Sequence, residues 1–178
     1  MAPRPFRLGR SNTGLGLFAT RAIKKRTRIA EYKGKILNLE DAEKAERRGN
    51  RYLYEINTRW TIDGAPRSNI ARYFNHSCNP NCESYNVGHR VFVRTVRNIK
   101  PGEEIVYDYG TDYLKNVIGR SNCKCSRCRR RRARKARETR ELKKRRLARA
   151  ARQRQQPRLA TKRKAARGTL KTATSRRK

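Results

Sequence analysis

A chain of 178 residues has room for one domain of ordinary size and an appendage, but not comfortably for two domains. Its 49 lysines and arginines against 14 acids leave a formal net charge of +35, which points to a polyanionic partner such as nucleic acid or nucleosomes. There is no apolar run of the ~18 residues a membrane span needs, Met1-Ala-Pro-Arg4 lacks the apolar stretch of a secretory signal, and five cysteines are too few for a secreted disulfide framework; a soluble, unprocessed protein with reduced thiols and a metal is expected.

In chain order, short β-prone runs between Leu8 and Ile36, punctuated by Gly9, Gly14 and Gly34, read as strands joined by turns. Asn38 to Gly49 reads as the one clear helix of the domain, with Asn38 as cap, acids in its first turn and arginines in its last. Tyr52-Leu-Tyr-Glu-Ile56, Trp60-Thr-Ile62, Arg90-Val-Phe-Val-Arg-Thr-Val96 and Glu104-Ile-Val-Tyr107 read as strands, with Pro101-Gly102 as a turn.

The charge is unevenly spread. From Arg129 to Lys178 there are 24 lysines and arginines, two acids and no aromatic residue, a net +22 that cannot build a core of its own. Its first part permits a helix conditional on a partner, because like charges repel along it; beyond Pro157 the composition predicts a disordered, solvated stretch. The clusters Arg129-Arg-Arg-Arg132 and Lys143-Lys-Arg-Arg146 suit phosphate contacts without sequence readout, and equally nuclear import.

Two places carry chemistry that folding alone does not ask for. In Asn69-Ile-Ala-Arg-Tyr-Phe-Asn-His-Ser-Cys-Asn-Pro-Asn81, Asn75 and His76 offer groups able to hold a planar heterocycle and a ribose, or equally to brace a loop. Cys123-x-Cys-x-x-Cys128 with a distant fourth thiolate suits tetrahedral zinc, structural because four cysteines leave no open position.

Asn75-His-Ser-Cys-x-Pro-Asn81 followed by Gly102-Glu-Glu-Ile-x-Tyr-Asp-Tyr-Gly110 resembles the two defining motifs of SET-domain lysine methyltransferases. The resemblance extends to Gly14-Leu-Gly-Leu-Phe-Ala19, to Glu31-Tyr-Lys-Gly34 and to the post-SET cysteines, covering roughly residues 6–128. It implies a mainly β fold with little helix, built of small sheets with a C-terminal pseudoknot: a SET domain over 1–112, a post-SET zinc segment over 113–128, then the basic helical or disordered tail over 129–178.

It also implies transfer of a methyl group from S-adenosyl-L-methionine to a lysine ε-amine of a basic protein, a histone first among candidates. Gly14, Leu15 and Gly16 would meet the methionine end of the cofactor, Asn75 and His76 its adenosine, and Arg72 and Tyr54 would line the same pocket. Tyr109 matches the catalytic tyrosine, Tyr107 the position that sets methyl number, where tyrosine favours monomethylation, and Tyr32 lines the lysine channel. Cys78 is the matching fourth ligand of one structural zinc, although the spacing is two residues shorter than the commoner Cys-x-Cys-x4-Cys and leaves Cys82 as a rival.

Three alternatives stand beside that reading: another basic target, such as a ribosomal or DNA-packaging protein; a non-catalytic nucleic-acid binder on the same scaffold; and, within Arg158 to Arg167, a histone-tail-like stretch in which Lys162 or Lys164 would be self-methylated. Location in the nucleus on chromatin is expected, with a bacterial cytoplasm, or secretion as an effector into a host nucleus, as the alternative.

Overall fold

The computed structural model describes the backbone of residues 3–174 and the side chains as far as residue 154. The chain divides into two units, residues 1–129 and 130–178.

The first unit is mostly β. β1 (Phe6–Ser11) and β2 (Gly14–Ala19) form a hairpin closed at the Ser11 and Gly14 pair, where Gly14 takes a φ of +113° that a side chain would resist. β3 (Arg28–Tyr32) leads to a separate three-stranded sheet of β4 (Lys35–Leu37), β5 (Leu53–Glu55) and β6 (Thr61–Asp63), in the order β4, β6, β5. The two sheets meet at Gly34, where a Cβ would lie 1.9 Å from the Asp63 carbonyl oxygen, so no other residue fits. α1 (Leu39–Arg47) crosses between β4 and β5, its first turn capped by the Asn38 side chain accepting from Asp41 N–H at 2.9 Å.

After a 3-10 turn at Ile70–Tyr73 come the two-residue strand β7 (Asn75–His76), β8 (Cys82–Val87), β9 (Arg90–Thr95) and β10 (Glu104–Tyr107). β8, β9 and β3 form an antiparallel set. β10 enters between segments laid down earlier: Ile105 pairs antiparallel with Leu17 of β2, while Val106 and Tyr107 pair parallel with Asn75 and His76. Fully buried Leu17, Phe74, Val91, Val93, Ile99 and Ile105 fill the interior around this insertion.

β8 goes unread in the sequence because Cys-Glu-Ser-Tyr-Asn-Val has no apolar alternation; its register with β9 comes from tight reversal at Gly88, φ +59°. A short helix α2 (Thr111–Tyr113) running into a π-helical turn (Leu114–Ile118) also lies outside the strand pattern.

The segment after the cysteines departs from expectation. α3 is one helix, Ser126–Thr174, continuing through Pro157 where an end and then disorder are predicted. Proline inside a helix costs about 3 kcal/mol by losing one hydrogen bond and crowding a carbonyl, but it is surrounded by arginine, lysine, alanine, leucine and glutamine, all good helix formers. Ion pairs of Arg134 with Glu138 and Arg137 with Glu141, each at 3.5 Å, ease repulsion in its earlier turns. The side chains of Lys162 and Lys164 lie outside the described residues. Among the described residues no helix is long and apolar enough to cross a membrane.

Asn81, 1% exposed, clamps β10 with its side chain: Nδ2 donates to the Glu104 carbonyl at 2.7 Å and Oδ1 accepts from Val106 N–H at 2.8 Å. Asn81→Ala would strand both backbone groups, so chemical denaturation should show a loss of about 2–6 kcal/mol, at about 1–3 kcal/mol per buried unpaired group.

Candidate active site

β10 ends at Tyr107, the chain turns at Asp108, and Tyr109 follows with its ring centroid 4.9 Å from that of Tyr107. Phe74 meets Tyr107 edge-on at 6.2 Å and Tyr113 meets Tyr109 edge-on at 5.2 Å, so an aromatic cluster lines part of a cleft of about 1310 Å³. Tyr32, at the end of β3, faces the same cleft 5.5 Å from Tyr54. Its hydroxyl donates to the Tyr52 carbonyl at 2.9 Å, and its ring fills the space a Cβ on Gly64 would need, with ring atoms as near as 2.3 Å. The Tyr109 hydroxyl donates to the Phe74 carbonyl.

Of the residues the sequence assigns to a cofactor, Gly14, Leu15, Tyr54, Arg72 and Asn75 line this cleft; Gly16 and His76 do not. Gly16 instead permits close packing, since a Cβ there would come within 2.6 Å of Glu104 Oε1 and 2.8 Å of Asn75 Nδ2, breaking the 2.8 Å hydrogen bond between those groups. Asn75 Nδ2 also donates to the Leu15 carbonyl at 3.1 Å, which joins β2 to β7 at the cleft wall. The His76 ring points the other way, with Nε2 at 3.2 Å from Cys78 Sγ and Nδ1 accepting from Tyr109 N–H at 3.2 Å. Tyr54 donates its hydroxyl to Ser84 Oγ at 2.9 Å.

Arg72 stacks over the Tyr52 ring at 4.0 Å, and its Nε is buried with no hydrogen-bond partner among the described residues. An orphan donor of this kind, in a cleft that Gly14 and Leu15 also line, fits a polar ligand such as S-adenosylmethionine.

Burial sets the ionisation of the aromatic end. It pushes the hydroxyls of Tyr32, Tyr107, Tyr109 and Tyr113 above the ordinary tyrosine value, so all four stay neutral at physiological pH. Burial likewise pushes the His76 imidazole down, against the pull of Asp108, and favours the neutral ring. The cleft is lined by five acids (Glu43, Glu46, Glu55, Asp108, Asp112) and four arginines (Arg51, Arg59, Arg67, Arg72), a near balance in a chain of net charge +35. Sequence reading missed Tyr113, Tyr52 and Phe74; Tyr113, lying beyond the recognisable motif, had no strand pattern to mark it.

The Sγ atoms of Cys78, Cys123, Cys125 and Cys128 all lie within 4.8 Å of one another. Cys78 is 3.9 Å from Cys123 and 3.6 Å from Cys128, which matches the edge of about 3.8 Å for a tetrahedron with zinc–sulfur bonds of about 2.3 Å. Burial pushes the Cys125 thiol up, but hydrogen bonds from the Cys128 and Cys78 backbones and from neighbouring thiols outweigh it and bring it to about 7, which favours a thiolate ligand. Cys82 stands outside the set, in β8, where burial pushes its thiol up to about 12. The set fits a closed zinc site.

A family model described as SET domain matches residues 14–110. Among curated proteins, the chain is 37% identical over 121 residues to "Histone-lysine N-methyltransferase trr" of Drosophila melanogaster, covering 63% of this chain and 5% of that protein. It is 37% identical over 109 residues to "Histone-lysine N-methyltransferase 2D" of Homo sapiens, covering 56% and 2%. It is 33% identical over 111 residues to "Histone-lysine N-methyltransferase SUV39H2" of Xenopus tropicalis, covering 54% and 27%. The chain thus spans a small part of the length of these relatives.

Four sulfurs at this spacing predict one zinc per chain by elemental analysis. Cys78→Ser and Cys123→Ser should each lower zinc content well below one, whereas Cys82→Ser should keep it.

Proposed function

The chain belongs to the SET-domain family, and on that premise we propose that it transfers a methyl group from S-adenosyl-L-methionine to a lysine ε-amine of a basic protein, a histone first. The carrying observation is the pair of rings of Tyr107 and Tyr109, centroids 4.9 Å apart, in a cleft that Gly14, Leu15, Arg72 and Asn75 also line.

When bound, S-adenosylmethionine supplies an electrophilic methyl group on a sulfonium. The chain supplies alignment. Arg72 Nε, otherwise orphaned among the described residues, would gain an acceptor from the bound cofactor, in a cleft that Gly14 and Leu15 also line. Because Tyr109 donates its proton to the Phe74 carbonyl, it offers lone pairs to the incoming amine and to the positive charge that passes onto nitrogen. As a buried neutral phenol it is no general base, so the lysine arrives already deprotonated.

Tyr107, beside Tyr109, narrows the channel and limits the product to monomethyllysine; Tyr32 lines the same cleft. The near balance of acids and arginines along the cleft leaves a basic peptide free to enter an otherwise cationic molecule. One zinc on Cys78, Cys123, Cys125 and Cys128 holds the C-terminal segment to the active-site loop. The basic helix, with four arginines in a row at residues 129–132, binds DNA phosphates and keeps the enzyme on chromatin in the nucleus.

Labelled cofactor with core histones or nucleosomes tests this reading directly. Tyr109→Phe should lower kcat about 100-fold, the scale of losing one preorganised polar group. Tyr107→Phe should move product toward di- and trimethyllysine by mass spectrometry, and an unchanged product distribution contradicts the assignment.

The pH dependence has a definite sign. The neutral fraction of a free lysine of pKa about 10.4 rises about tenfold per pH unit below that value, while burial keeps the Tyr109 hydroxyl protonated over the same span. Hence log(kcat/KM) for a lysine peptide should climb with a slope near one from about pH 7 to 9, and a fall within that window would place a tyrosine ionisation there instead.

A further inference from the structure

We propose that His76 is a positioning residue, a strut whose two ring nitrogens tie the four-cysteine site to the backbone of Tyr109. The proposal rests on the reading that Tyr109 is the reactive tyrosine and gives the imidazole a role separate from contact with the cofactor.

The parallel pairing of β7 with β10 sets His76 beside Tyr107, and Ser77 N–H donates to the Tyr107 carbonyl at 2.9 Å. There the backbone ladder ends, because the chain turns away at Cys78. The next donor along is Tyr109 N–H, and it finds His76 Nδ1 at 3.2 Å, so a side chain supplies the acceptor the ladder no longer can.

An amide N–H can only donate. Nδ1 therefore carries no proton, and the neutral ring holds its proton on Nε2, which faces Cys78 Sγ at 3.2 Å. An N–H donated to a ligating thiolate fixes the sulfur's orientation, and such outer partners of a metal site are worth about 10–100-fold in metal affinity or activity. The ring is 9% exposed, packs edge-on to Tyr109 at 5.4 Å and lies off the cleft surface, so it has no route to a ligand there. One imidazole thus spans from the metal ligand to the residue that faces the amine.

The two nitrogens can be removed separately. Asn keeps an acceptor at the position of Nδ1 but does not reach Cys78; Gln keeps a donor at the position of Nε2 but presents no acceptor to Tyr109. In full-length protein, His76→Gln should keep zinc affinity, measured by competition with a chromophoric chelator, while the Tyr109 amide exchanges faster in deuterium and kcat falls about 10–100-fold. His76→Asn should do the opposite: zinc affinity falls about 10–100-fold, the cobalt-substituted protein shifts its sulfur-to-metal charge-transfer band, and the Tyr109 amide stays protected.

Equal loss of both properties in both variants would mean that the ring merely fills space, and loss of neither would mean that it holds nothing; either result overturns the proposal. Zinc affinity and amide exchange are read without turnover. If the wild-type protein transfers no methyl group, the proposed function fails while these two measurements still decide the strut.

Discussion

The parallel pairing of Val106 and Tyr107 with Asn75 and His76 is the contact on which the other features depend, because it brings the two chemically dense segments of the chain side by side. Parallel neighbours need a long connection, and here it is the β8 and β9 hairpin, which then buries Val91 and Val93 under the insertion. Asn81 secures the arrangement from within, occupying backbone groups of β10 that would otherwise lack partners. Tyr107 and Tyr109 on one side, and Asn75 on the other, inherit their positions from this pairing. So does Cys78, which follows shortly after the end of β7.

Electrostatics divides the molecule by region. The long helix gathers positive charge, eased in its earlier turns by Glu138 and Glu141, whereas the cleft keeps acids and arginines nearly equal. Among these charges burial holds the hydroxyls of Tyr32, Tyr107, Tyr109 and Tyr113 neutral, so the cleft lining combines balanced charge with uncharged aromatic rings.

Much of this was legible in the residues. The strands with alternating apolar positions, the α1 cap at Asn38 and the two motifs that carry the family resemblance all lie in short, local patterns. What escaped was set by contacts distant in sequence. β8 is polar along its length and owes its place to pairing with β9. The close approach of Glu104 and Asn75 to Gly16, and the turn of the His76 imidazole toward a thiol and a backbone amide, are specified by no local pattern. Cys82 and Cys78 are rivals by spacing; it is the Cys78 sulfur that lies within 4.8 Å of the other three, while Cys82 sits in β8. Pro157, where a helix end is expected, instead lies within the helix Ser126–Thr174.

The four cysteines also bear on how long the folded state lasts. Cys78 and Cys123 are 45 positions apart, so a metal held between them closes a loop containing β8, β9 and β10. A cross-link over such a span disfavours the open chain by on the order of 4 kcal/mol in the chain-entropy view. Because the inserted strand lies inside that loop, a metal bound there would keep the loop's ends together even while the strand was withdrawn, favouring its return over full unfolding. Persistence of the fold would then depend on retention of the ion as well as on the sheet.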